Sequence, residues 1–194
     1  MIGLALRTII FVLMAFELCF GPVMKEATVA QEKKGKALFV DRDGTLIKGV
    51  PYLHKIEEVE LLEGVLPYLL ERQKEGYQLF MVTNQSGIAR GMYTEETMHH
   101  VNEYVVRLLA ERGVIIKACY FCPHLPEKAA VPAYEKICTC RKPLPGMLLQ
   151  AAEEYNIDVG KSIMLGDDVR DLQAGRAAGC EQVVDVADVL KITS

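Results

Sequence analysis

Asp41 and Asp43, two carboxylates two residues apart, follow directly on the apolar run Lys36–Val40 and precede Gly44-Thr45. The run is short and β-prone, the pattern of a strand buried in a parallel sheet, and Gly44 lets the chain turn sharply as it leaves. Open α/β sheets place their reactive groups at such carboxyl ends of strands. There Asp41 can attack phosphorus and carry a covalent phosphoryl group. Asp43 can give a proton to the leaving oxygen and later take one from water. The same Asp-x-Asp-Gly spacing also serves turns and calcium loops, so the pair alone leaves both readings open.

Three further segments favour phosphoryl transfer. A second strand over residues 77–82 ends in Thr83-Asn84-Gln85-Ser86-Gly87, whose hydroxyl and free backbone N–H groups suit phosphate oxygens. Arg141-Lys142-Pro143 supplies two adjacent cations, the arginine a planar fork and the lysine a point charge. A third strand over residues 162–165 runs into Gly166-Asp167-Asp168. Mg²⁺ takes hard oxygen ligands in octahedral array and keeps several waters; Asp41, Asp167 and a main-chain carbonyl near Asp43 would suffice.

In this order the four segments resemble the haloacid dehalogenase superfamily of aspartate-nucleophile phosphatases, over roughly residues 36–186. The resemblance implies that Asp41 is nucleophile and Mg²⁺ ligand, and that Asp43 is general acid/base with its main-chain oxygen on the metal. It implies that Thr83 binds the transferring phosphoryl group, that Lys142 neutralises it, and that Asp167 completes the metal site. Taken singly, Thr83 can be a turn cap and Lys142 a solvated surface lysine; four segments in register make those readings poor.

Cys122-Pro123-His124 and Cys138-Thr139-Cys140 offer three thiolates and an imidazole around a loop holding Pro126 and Pro132. Three cysteines and one histidine are a common closed set for structural Zn²⁺. Cys119, three residues before Cys122, offers a Cys-x-x-Cys alternative, although it falls in an apolar run where a small buried thiol is ordinary. Disulfides are the other alternative. With the Thr-Asn-Gln-Ser-Gly-Ile-Ala-Arg-Gly and Cys-x-Cys-Arg-Lys-Pro segments, this loop resembles the heptose-bisphosphate branch of the family, in which the histidinol-phosphate phosphatases are close relatives. The resemblance implies a small sugar bisphosphate as substrate and a role in carbohydrate metabolism. It gives Arg141 a contact to the phosphate that is not cleaved, and it puts Asn84, Gln85 and Ser86 with Thr83 on the substrate side. Tyr52 and His54, on a flap after the nucleophile, line the sugar pocket in this reading, or else pack under the flap and lie in solvent.

Asp168 departs from the family pattern, which often has lysine or a small polar residue there. It can join the metal shell or raise a neighbour's pKa by repulsion, but the better expectation is that it caps the following helix. Asp171 adds an acidic group one helical turn further on. A non-catalytic zinc-stapled binding protein is the rival class, and the intact Asp41, Asp43, Lys142 and Asp167 set argues against it.

To position these groups the chain requires an α/β fold: a single Rossmann-like parallel sheet with helices on both faces, a minimal cap and a zinc-stapled loop. Strands are expected over 36–40, 77–82, 115–121, 162–165 and 182–186. Helices are expected over 65–75, 94–112, 145–155 and 169–178, with Gly76, Gly113 and Gly179 at helix ends. Such strand–helix alternation gives a parallel sheet. The 194 residues suffice for one core. A net charge of −4 argues against a nucleic-acid partner, and so against a DNA 3′-phosphatase.

Residues 1–34 read as an apolar leader and polar linker, and residues 35–194 as the phosphatase domain. The leader is a signal peptide, a membrane anchor, or the product of an overlong start whose true position is Met24. Glu17 and Gly21-Pro22 interrupt its apolar run, which tells against a span. Reduced zinc thiolates and a sugar-phosphate substrate favour the cytoplasm, with export or anchoring through residues 1–24 as the alternative. A monomer is the default expectation.

Overall fold

The computed structural model describes residues 34–193. Its five strands are β1 (Lys36–Val40), β2 (Tyr77–Asn84), β3 (Ile116–Cys122), β4 (Ile163–Gly166) and β5 (Gln182–Asp185). They form one parallel sheet in the order β3-β2-β1-β4-β5. The chain steps outward from β1 to β3, then returns to lay β4 on the other side of β1. The gap between β1 and β4 is therefore a topological switch point, where open sheets form their ligand crevice.

Alternation along the strands decides which side chains meet which helices. Leu38 and Val40 of β1 share a face with Leu79, Met81, Ile163 and Leu165, and there meet α1 (Leu66–Lys74), α2 (Glu95–Glu111) and α5 (Val186–Thr193). Ala37 and Phe39 share the opposite face with Phe80, Val82 and Met164, against α3 (Gly146–Glu154) and α4 (Val169–Ala178). Helices cover both faces, as the strand–helix alternation implied. Local signals set the helix ends. Thr94 caps α2 by accepting from the Thr97 N–H at 3.2 Å, and α4 stops at Gly179 in the left-handed conformation.

The differences from the sequence reading are small and have causes. α5 was not expected; the Asp185 carboxylate accepts from the Ala187 N–H at 2.8 Å and so turns the end of the last strand into a helix start. Ser162 lies just before β4, because its hydroxyl bridges the Ala37 N–H and the Asp158 carbonyl. β2 runs on through Thr83 and Asn84, and β3 through Cys122, so those residues project from strand ends. No described helix is long and apolar enough to cross a membrane. The expected leader, with its alternative start at Met24, lies outside the described residues apart from Lys34.

Phe80 is fully buried, its ring centroid 5.8 Å from that of Phe39 and 5.0 Å from that of Tyr155. Phe80→Ala is expected to remove about 3–5 kcal/mol of unfolding free energy. Urea denaturation should show a lower midpoint with an unchanged slope.

Candidate active site

Four neighbouring strands deliver the sequence-predicted groups to one edge of the sheet. Asp41 leaves β1, Thr83 and Asn84 end β2, Cys122 ends β3, and Asp167 leaves β4. The Asp41 N–H donates to the Leu165 carbonyl at 3.0 Å, which holds the β1 and β4 exits together.

Asp41, Lys142 and Asp171 form the buried centre. The Lys142 ammonium lies 2.6 Å from Asp41 Oδ1 and 2.6 Å from Asp171 Oδ1, and donates to the Val82 carbonyl at 2.8 Å. Exposures are 6% for Asp41, 2% for Lys142 and 2% for Asp171. Burial pushes the Asp41 carboxyl up to about 7, with Lys142 opposing the rise and Asp171 adding to it. Burial works against charge on Lys142 as well, but the two carboxylates outweigh it and its pKa is raised. Asn84 fixes the lysine's main chain from both sides: its amide donates to the Lys142 carbonyl and accepts from the Lys142 N–H, each at 3.0 Å.

Asp43 sits in a different environment. Its side chain is 30% exposed and is held bidentate by Arg42, which is itself 1% exposed and anchored on Asn102 Oδ1 at 2.8 Å. Gln85 Nε2 donates to Asp43 Oδ2 at 2.8 Å, and the Thr83 hydroxyl lies 3.4 Å from the same oxygen.

Two adjoining cavities meet at Asp43 and Asn84. One, of about 130 Å³, is an acidic pit bounded by Asp41, Thr83, Lys142, Asp167 and Asp171. The other, of about 300 Å³, is lined by Arg42, Tyr52, Gln85, Ser86, Gly87 and Tyr93. Tyr52 has a φ of 53° and lies under the Arg90 guanidinium, 5.8 Å from its ring centroid. His54 stacks on Tyr93 at 6.0 Å. Arg141 lines neither cavity; its guanidinium turns to the Cys/His loop and donates to the His124 carbonyl at 3.2 Å.

Carboxylate oxygens of Asp41, Asp167 and Asp171 lie within 4.8 Å of one another. An ion with oxygen ligands at about 2.0–2.1 Å places opposite ligands about 4 Å apart, so the set fits a hard divalent cation. Asp167 is raised, by burial first and then by Asp171, and a cation would relieve that crowding. Asp168 plays the other part foreseen for it. It caps α4, accepting from the Arg170 N–H at 2.8 Å, while Asp171 accepts from the Asp168 N–H at 3.1 Å. Its hydrogen-bonded pairing with Arg170 holds its carboxyl down to about 2.

Cys122, His124, Cys138 and Cys140 form a second donor set, all within 4.8 Å. Sulfur–sulfur distances of 3.0 and 3.5 Å, and sulfur–Nδ1 distances of 3.3 and 3.5 Å, surround one point. These sulfurs stand far beyond the bond length of about 2.05 Å, and the described cysteines are free thiols. Three soft sulfurs and an imidazole nitrogen fit tetrahedral zinc. Cys119 stays outside the set, packed against the core, where burial pushes its thiol up to about 11.

Sequence reasoning underrated Asp171, whose position three residues after a helix-capping Asp168 is a legible capping-box spacing. Arg42, Asn102 and Tyr93 were missed; no local pattern marks which polar residue near a strand exit turns inward.

A model of the haloacid dehalogenase-like hydrolases matches residues 54–179. The chain is 48% identical over 142 residues to the D-glycero-beta-D-manno-heptose-1,7-bisphosphate 7-phosphatase of Yersinia pestis, covering 73% of this chain and 75% of that one. It is 44% identical over 158 residues to the protein of the same name from Pasteurella multocida, covering 81% and 85%. Among solved structures it is similar to D,D-heptose 1,7-bisphosphate phosphatase from B. bronchiseptica complexed with magnesium and phosphate. There the identity is 33% and the TM-score 0.65, over 76% of this chain and 78% of that one.

Gly44 has a φ of +86°, and a Cβ on it would collide with the Asp167 carboxylate. Gly44→Ala is expected to keep the fold, at a backbone cost of about 1–2 kcal/mol. It should weaken divalent-cation binding about 10- to 100-fold by displacing a ligand. Titration calorimetry beside circular dichroism checks both.

Proposed function

This chain belongs to the haloacid dehalogenase-like hydrolases, and we propose that it removes the C7 phosphate of D-glycero-D-manno-heptose 1,7-bisphosphate through an aspartyl-phosphate intermediate. It is a phosphatase. The observation that carries the substrate reading is that the pit holding Asp41 and Lys142 shares Asp43 and Asn84 with the larger cavity bearing Tyr52 and Ser86. One phosphate enters the pit while the rest of a sugar bisphosphate fills the neighbouring space. The relatives' names specify the beta anomer, which we take as the preferred one.

In this mechanism Asp41 attacks the C7 phosphorus while Lys142 and the Thr83 hydroxyl hold its equatorial oxygens. Asp43 protonates the departing sugar oxygen, then takes a proton from the water that cleaves the aspartyl phosphate. The two carboxylates suit these different tasks because one is buried against a lysine and the other is half-open to the substrate cavity. Mg²⁺ held by Asp41, Asp167 and the main-chain oxygen of Asp43 would supply charge neutralisation at the phosphoryl oxygens. Most of the acceleration then comes from alignment and electrostatics.

Zn²⁺ in the Cys122, His124, Cys138 and Cys140 set is structural in this reading. Bound there, it would keep Cys140 in place and, through the next two residues, Arg141 and Lys142. Arg141 bonded to the His124 carbonyl supports a part in bracing that loop, alongside the substrate contact expected of it. We further read residues 35–194 as the catalytic domain of a cytoplasmic monomer whose partner is its small substrate and not nucleic acid.

Phosphate release from both heptose 1,7-bisphosphate anomers and from histidinol phosphate tests the assignment. The beta heptose is expected to give the highest kcat/KM; preference for histidinol phosphate would overturn the substrate while keeping the chemistry. Asp41→Asn should abolish turnover with the fold intact, and retained activity would overturn the nucleophile. Plasma mass spectrometry should find one equivalent of zinc. Stripping it should lower activity in a way that added Mg²⁺ alone does not restore.

A further inference from the structure

Asp43 is gripped from two directions, and only one of the grips is charged. Arg42 holds it from the side of α2. On the other side stands Gln85, 2% exposed. Its amide nitrogen serves Asp43 Oδ2 and Thr83 Oγ1, each at 2.8 Å. A primary amide has a donor end and an acceptor end. With the donor end spent on Asp43 and Thr83, the carbonyl faces the opposite way. There it accepts from the Tyr93 hydroxyl at 2.6 Å.

The ring of Tyr93 is held in place independently of that bond. It lies so close to Gly87 that a Cβ there would collide with it. The His54 imidazole stacks against it, the two planes 13° apart. Burial pushes the Tyr93 phenol up to about 12, so it remains a donor at neutral pH.

We propose that Tyr93 is a positioning residue for the general acid/base, orienting Asp43 through the Gln85 amide. The proposal rests on the reading of Asp43 as acid/base. Without the hydroxyl the buried Gln85 carbonyl has no donor, and its amide can rotate away from its hold on Asp43. Asp43 then keeps the Arg42 pairing but samples orientations in which its proton misses the leaving oxygen.

Tyr93→Phe in the full chain removes only the hydroxyl, keeping the ring, its stack and its contact with Gly87. On the heptose bisphosphate, kcat is expected to fall about tenfold, a fraction of the whole acid–base contribution, with KM nearly unchanged. On 4-nitrophenyl phosphate the leaving group needs no proton, whereas hydrolysis of the aspartyl phosphate still needs the base. The variant should therefore release one equivalent of nitrophenolate at the wild-type burst rate and then turn over slowly.

An unchanged kcat in Tyr93→Phe, or a burst slowed as much as the steady state, would overturn the proposal. Asp43→Asn separates this from the premise. If it turns over normally, the acid/base reading itself fails; if it is inactive while Tyr93→Phe is unaffected, only the positioning role fails.

Discussion

The Lys142 ammonium, within 2.6 Å of two carboxylates, is the contact on which the site's arrangement depends. An unpaired ion at this depth costs several kcal/mol, and removing one partner of a buried pair costs about 3–5 kcal/mol. Asp41 can therefore stand charged at the end of β1 only if the lysine arrives from 101 residues away. The lysine arrives because Asn84 holds its main chain and because the segment before it is drawn into the Cys/His cluster. Asp171 completes the arrangement from the first turn of α4, whose start is set by Asp168. Two strand ends, one loop and one helix start converge on a single ammonium.

That convergence sets two carboxylates of the same type in different surroundings. Asp41 is enclosed with a cation and other acids, and its proton affinity rises. Asp43, two residues on, is 30% exposed and rests on an arginine, a glutamine and a threonine hydroxyl. The chain leaves β1 after Val40 and turns at Gly44, so the two carboxylates meet different neighbours although they stand only two residues apart. The two cavities divide along the same line: the acidic pit lies around Asp41, and the wider space opens beyond Asp43.

Much of the fold was legible in the sequence because its signals are local. β1 appears over the expected residues, as does α4, and the other expected elements shift by one or two residues at an end. α5 escaped notice because its start depends on a single carboxylate cap following a strand of only four residues. The zinc-type donor set emerged with the expected four residues, and Cys119 separated from them because the strand carries it toward the core. The bond from Arg141 to the His124 carbonyl is set by the loop's path and is invisible in the Arg-Lys pair.

By itself the sequence determined the parallel sheet, the strand exits that carry chemistry and the residue types waiting there. Periodicity, capping and short spacings are properties of neighbouring residues, and they survive in any compact arrangement of these elements. Only the tertiary structure decided which groups meet: Lys142 with Asp171 as well as Asp41, Arg42 inward onto Asn102 across 60 residues, and Tyr93 onto Gln85. Those pairings follow from how far each strand runs past its neighbour and where each helix lies on the sheet. They also follow from the cost of leaving a buried charge or carbonyl without a partner, which is settled only when distant segments close around it.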